Sequence, residues 1–72
     1  HDHTKPGFPL ICLPIRIEDQ VWIAAGSFIS PGVTVGRGAI VGARSLVLDD
    51  VPPAMICAGH PARLIKPRPS TA

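Results

Sequence analysis

The sequence predicts an all-β solenoid, a triangular prism wound from a six-residue unit, on three observations. First, Ile or Val stands at every sixth position: Ile11, Ile17, Ile23, Ile29, Val35, Val41 and Val47. Helices and ordinary strands repeat near ~3.6 and ~2 residues, so neither explains this spacing. With roughly a quarter of the chain Ile, Leu or Val, such a run has chance odds on the order of one in a thousand. Second, four places after each of these the side chain is again apolar or small: Ile15, Val21, Ser27, Val33, Ala39, Ser45 and Val51. Third, glycines fall where a unit must turn, Gly32 and Gly38 at the fourth place and Gly36 and Gly42 at the second. Units of this length cannot bury an apolar face alone and stack into a shared core.

The elements follow in order. Residues 1–10, HDHTKPGFPL, break the repeat, and Pro6, Gly7 and Pro9 rule out a regular strand or helix. They read as a loop thrown out from the prism, carrying His1, Asp2, His3 and Lys5. Loops on a rigid scaffold are where function concentrates. Residues 11–53 carry the repeat, each unit giving one short strand and one corner. Three units close a coil, so side chains eighteen apart stack: Ile11 on Ile29 on Val47, Ile17 on Val35, Ile23 on Val41. About two to three coils result, lined by β-branched side chains that suit a pleated wall. Ser27 stacks on Ser45 at a tight corner, and Pro31-Gly32 signals a type II turn. The second-place glycines, Gly36 and Gly42, are also expected to turn with positive φ. The prolines of Asp49-Asp50-Val51-Pro52-Pro53 end the repeat. Residues 54–66 form a capping segment in which Met55-Ile56-Cys57-Ala58 adds a last strand. Residues 67–72 read as a disordered tail.

Seventy-two residues are few for an independent core. A solenoid also needs capped ends, and none is visible on the amino-terminal side. The chain therefore reads as the carboxyl-terminal piece of a longer protein, its open end covered by further coils or a partner subunit. The formal charge is +2, and Arg63, Lys66 and Arg68 gather near the end. Three cations with Trp22, Phe8 and Phe28 as the aromatic side chains make no nucleic-acid stripe. The basic end is either a solvated surface or a phosphate contact. Cys12 and Cys57 have no C-x-x-C spacing and read as free thiols in a reducing compartment, hence the cytoplasm. No apolar run approaches the ~18 residues of a membrane span, and no signal peptide stands within the sequence.

The run VWIAAGSFISPGVTVGRGAIVGARSLVLDDVPP, followed by AGHPARLIKP, resembles bacterial hexapeptide-repeat acyltransferases. Within them it is most similar to the galactoside, maltose and capsule-sugar O-acetyltransferases. The opening HDHTKPGFPL resembles the loop SHDYTDPxFPL of acetyltransferases from colanic-acid and other exopolysaccharide clusters. Val21-Trp22-Ile23, the Asp50-Val51-Pro52-Pro53 exit and Gly59-x-Pro61-Ala62-Arg63 together carry the likeness, from His1 to about Lys66. It implies a left-handed parallel β-helix, against the usual right-handed crossover. It also implies a homotrimer with acetyl-CoA in a groove between neighbouring prisms and a sugar or glycan hydroxyl as acceptor.

By that motif match the catalytic histidine is His1. A sugar hydroxyl becomes a competent nucleophile when a base takes its proton during attack on the thioester, and imidazole suits that task near neutral pH. The oxyanion that follows calls for donors, most plausibly backbone N–H groups of the wall, with Gly26 allowing close approach. Asp2 orients the imidazole, binds a sugar hydroxyl or is simply solvated; Trp22 faces out, as a wall of the acceptor pocket or a subunit-interface aromatic. His3 reads as a surface histidine, and His60 receives no role. The resemblance further places Ala25 and Ala43 against acetyl-CoA on the groove wall, backbone groups at Leu48 beside it, and Arg63 and Lys66 at its phosphates. One departure stands out. Where these enzymes commonly have Thr-Lys-Asp after the last rung, this chain has Leu48-Asp49-Asp50, so a phosphate-binding lysine is replaced by an acid.

Two other readings compete. A zinc hydrase of the β-helical carbonic anhydrase kind would need three converging histidines. His1, His3 and His60 supply the number without an obvious ligand spacing, so no metal is expected. A non-catalytic trimerisation module gains weight from the Leu48-Asp49 change.

Overall fold

The computed structural model describes residues 13–69. Among them there is no helix, and six two-residue strands follow at six-residue intervals: β1 (Arg16–Ile17), β2 (Trp22–Ile23), β3 (Phe28–Ile29), β4 (Thr34–Val35), β5 (Ile40–Val41) and β6 (Leu46–Val47). The sequence spacing is reproduced as pairing. β1 lies parallel to β4 with Ile17 opposite Val35, β2 to β5 with Ile23 opposite Val41, and β3 to β6 with Ile29 opposite Val47. The chain thus returns to each of three faces every third strand. Backbone bonds of 2.8–3.0 Å tie one coil to the next, among them Trp22 N–H to the Ala39 carbonyl and Phe28 N–H to that of Ser45.

Burial follows the rungs. Val35 and Val41 are wholly inaccessible and Val33, Ala39, Val47, Val51 and Cys57 are buried with them, whereas Ile17, in the first described coil, is 45 % exposed. Val21, Ile23, Ile29, Met55 and Ala62 pack against this core half-buried. The serine corner is a small polar network inside the wall. Ser27 Oγ donates to the Gly42 carbonyl at 2.9 Å, Ser45 Oγ donates to the same oxygen at 2.7 Å, and Ser45 N–H donates to Ser27 Oγ at 3.3 Å.

Corners repeat as regularly as strands. Positive φ occurs at Gln20, Gly26, Gly32, Gly38 and Arg44, one per unit, and again at Ala54. Gly32 and Gly38 are therefore turn glycines, as the sequence predicts. Gly36 and Gly42 are not: neither has positive φ, and they are needed because other chain segments lie against them. A Cβ on Gly36 would come within 2.6 Å of Pro53 N, and one on Gly42 within 2.9 Å of the Ala58 methyl.

The same crowding explains how the repeat ends. Val51 bridges Val35 and Cys57 pairs with Val41, each sixteen residues back instead of eighteen. Val51 is thus not the second inward side chain of the Val47 unit, as the spacing implies, but a rung in its own right, because Asp49-Asp50 makes a shorter corner. Asp50 Oδ1 completes that corner by accepting the Thr34 N–H at 2.8 Å. β7 (Met55–Gly59) then continues the β2–β5 sheet in parallel, and β8 (Ala62–Pro67) folds back antiparallel on β7. Order also extends further than the sequence indicates. Pro67 closes β8, and Arg68 N–H donates to the Ala54 carbonyl at 2.6 Å, so residues 67 and 68 are structured where a disordered tail is expected.

Candidate functional site

Three surface features hold the described candidate residues. Ala25 and Ala43 occupy the first places of two stacked corner turns, both exposed, with Arg44 N–H donating to the Ala25 carbonyl at 3.0 Å. Each contributes only a methyl group at this corner. Gly26 belongs to the same corner, with φ +75°, and a Cβ there would meet the Arg44 stem at 3.2 Å. Its lack of a side chain is accounted for by the turn and by the arginine stacked on it.

A second feature lies at the carboxyl-terminal mouth of the prism. Leu48, half-exposed, lines a small groove with Asp49, Asp50, Arg63 and Leu64, floored by Val47, Val51 and Cys57. The short corner and the β7–β8 hairpin bring Leu48 and Arg63 together there, fifteen residues apart in sequence. Arg63 stands opposite Ala58 and Lys66 opposite Ile56, both exposed on β8, and Lys66 does not line that groove. Asp49 and Asp50 place negative charge beside Arg63, which lowers the attraction of this groove for an anion relative to one carrying a lysine.

The third feature is an open cleft along the column of turns that joins the β1–β4 face to the β2–β5 face. Trp22 projects from it, 68 % exposed, beside Gln20, Val21, Arg37, Pro53 and Arg68. Arg37 was not singled out by the sequence, and Arg68 was noted there only as one cation of the basic end, not as a neighbour of Trp22. Arg37 sits at an ordinary corner place, and Arg68 falls in the segment read as a tail, so nothing local places either beside Trp22. His1, Asp2 and His3, with Cys12, lie outside the described residues. His60 is exposed in the β7–β8 turn, and no three His, Cys, Asp or Glu side chains converge among the described residues. Cys57 is a free, buried thiol whose pKa is pushed up by burial.

The repeat, its register and its corners are those of a defined family. Residues 14–49, half of the chain, match the model of the bacterial transferase hexapeptide (six repeats). The chain belongs to the bacterial transferase hexapeptide family. Within it the chain is similar to an Escherichia coli (strain K12) protein named for colanic acid biosynthesis acetyltransferase WcaF, 42% identical over 71 residues, 99% of this chain and 39% of that one. It is also similar to galactoside O-acetyltransferase of the same organism, 38% identical over 66 residues, 92% of this chain and 32% of the relative. The chain thus spans about two fifths or less of the length of these curated relatives. Among solved structures, a hexapeptide-repeat acetyltransferase from Vibrio cholerae O1 biovar eltor, complexed with acetyl coenzyme A, is 45% identical. That match covers 83% of this chain and 33% of the other, with a TM-score of 0.80. A galactoside acetyltransferase in complex with coenzyme A is 44% identical over 76% of this chain and 28% of the other, with a TM-score of 0.75. No helix among the described residues of this hexapeptide protein is long and apolar enough to cross a membrane.

Proposed function

We propose that the protein containing this chain transfers the acetyl group of acetyl-CoA to a hydroxyl of a sugar or glycan. What supports the reading above all is the likeness, over most of the chain, to acetyltransferases solved with coenzyme A or acetyl coenzyme A. In this reading the prism is wound left-handed, as in the family, and three copies associate so that each active site lies between neighbours. Acetyl-CoA runs along the Ala25–Ala43 corner toward the mouth groove. Backbone groups at Leu48 flank it, and Arg63 and Lys66 meet its phosphates. Because Asp49 and Asp50 share the groove with Arg63, the phosphates are held more weakly than a lysine in that place would hold them. Acetyl-CoA is made and used in the cytoplasm, which is where we place the enzyme.

His1 accepts the proton of the acceptor hydroxyl as its oxygen attacks the thioester carbon. The carbonyl π electrons move to oxygen, and backbone N–H groups of the wall stabilise the resulting oxyanion. Collapse breaks the carbon–sulfur bond, and the departing thiolate takes the proton back from the imidazolium. Asp2 orients that imidazole, and Trp22 walls the acceptor site. His1→Ala in the whole protein is expected to reduce acetyl transfer by about 100-fold or more while leaving coenzyme A binding intact. Undiminished turnover would end the assignment.

A further inference from the structure

The Trp22 cleft has a chemical character that the acetyl-CoA corner does not share. Its spine is the column of turns Asp19–Gln20, Arg37–Gly38 and Pro53–Ala54, stacked in successive coils. Arg68 lies along that column. Its main-chain N–H donates to the Ala54 carbonyl, and its Nη1 donates to the Gly38 carbonyl at 2.9 Å and, at the long limit, to that of Gln20 at 3.4 Å. Held through one nitrogen, the guanidinium keeps further N–H donors of its planar fork for a ligand. Arg37 lines the same cleft, and no acidic side chain among the described residues does. The nearby acids, Glu18 and Asp19, line the depression on the other side of Arg37, together with Arg16. Glu18 is partly occupied there, accepting the Arg37 main-chain N–H at 3.0 Å.

The cleft therefore offers two guanidinium groups and one exposed indole. An aromatic face takes the weakly positive C–H face of a pyranose, and a guanidinium fork matches a planar carboxylate. Phosphate fits less well. The turn N–H groups that could cradle it are already used, Gly38 N–H on the Asp19 carbonyl and Ala54 N–H on that of Arg37, and the spine presents carbonyl oxygens. We propose that this cleft binds a carboxylate-bearing sugar of the acceptor glycan, a hexuronate, with its ring against Trp22 and its carboxylate between Arg37 and Arg68. The proposal rests on the sugar acetyltransferase reading and narrows its acceptor to an acidic glycan.

The test uses the whole protein and a matched pair of probes: a disaccharide containing glucuronic acid, and the same disaccharide with its carboxyl reduced to a hydroxymethyl group. Calorimetry should show the acid bound about tenfold more tightly than its reduced twin at low salt, with the preference fading as salt rises. Arg37→Gln and, separately, Arg68→Gln should erase that preference, and Trp22→Ala should weaken both sugars alike. Arg37→Gln leaves the main-chain bonds of its turn in place, so it reads the charge even if Arg68→Gln loosens the end of β8. Equal affinity for the two sugars, or a preference that survives both arginine variants, overturns the proposal. So does an equal loss of coenzyme A affinity in Arg37→Gln, which would assign the cleft to the cofactor. Carboxylate-dependent binding without acetyl transfer to either sugar would uphold the site and overturn the sugar acetyltransferase reading instead.

Discussion

Gly42→Ala isolates one contact on which the end of the repeat depends. Gly42 lies after β5, its N–H donating to the Cys57 carbonyl at 2.9 Å, and an added Cβ would stand 2.9 Å from the methyl of Ala58. Two carbons prefer about 3.5–4.0 Å, so the pair would be short by roughly 0.6–1.1 Å. Neither methyl can rotate away, so relief has to come from moving β7 off β5, which strains the Gly42–Cys57 bond and the Val41–Cys57 pairing. Overpacking of this kind costs about 1–3 kcal/mol. Gly42 does not have positive φ, so alanine recovers about 0.4–1 kcal/mol by restricting the unfolded chain. The expected net loss is about 1–2 kcal/mol. Ala58→Gly removes the opposing methyl, and alone it should cost about 0.5–1 kcal/mol as a glycine in a strand. Combined, the two should cost less than their sum by about 1–3 kcal/mol, the strain term that only the methyl pair creates. Urea unfolding of the whole protein at fixed protomer concentration measures all four corners of the cycle. Additivity within about 0.5 kcal/mol would refute the contact as the reason for glycine at this position.

Three further outcomes follow from the wall and its corners. Burial raises the Cys57 pKa, so the folded state keeps that proton to higher pH than the unfolded chain does. Its stability is complete below the ordinary thiol value and declines as pH rises from there toward the folded value; Cys57→Ala should flatten that alkaline decline, at a cost of about 1 kcal/mol at neutral pH, and an unchanged slope would contradict the assignment. Ser27→Ala leaves the Ser45 N–H without its acceptor and should cost about 1–2 kcal/mol, whereas Ser45→Ala leaves the Gly42 carbonyl its bond from Ser27 and should cost less; denaturation midpoints that reverse the order would contradict the network. Gly38→Ala places a Cβ in ordinary contact, 3.9 Å from Arg68 Nη1, but at φ +74° and should cost about 1 kcal/mol, while Ala54→Gly, at φ +58°, should cost nothing or stabilise slightly; thermal scans giving the same sign and size for both would count against backbone strain as the cause.

Most of the architecture is written in the chain because a six-residue spacing admits few explanations. The pairs Ile17–Val35, Ile23–Val41 and Ile29–Val47 follow directly from counting in eighteens. Counting fails where the count changes. Asp49 and Asp50 shorten one corner by two residues, and nothing in their composition distinguishes a short corner from the second inward place that Val51 would otherwise fill. Gly36 and Gly42 mislead for a related reason, since the segments that press on them, Pro53 and Ala58, lie about sixteen residues later and become neighbours only through that short corner. The candidate site was legible only in part. Ala25 and Ala43 stack because they share the repeat, and Leu48 meets Arg63 because the hairpin folds back. The Arg37–Arg68 pairing with Trp22 depends on β8 returning along the corner column, a long-range event with no local sequence sign.

The abbreviated last corner also has a bearing on self-association. A tube of parallel rungs could in principle serve as a template for another tube, storey upon storey. Here the final storey is two residues short, and its free strand is matched by an antiparallel neighbour instead of being left bare. On that face, end-to-end growth into a filament meets an antiparallel strand in place of the parallel rung it would have to copy.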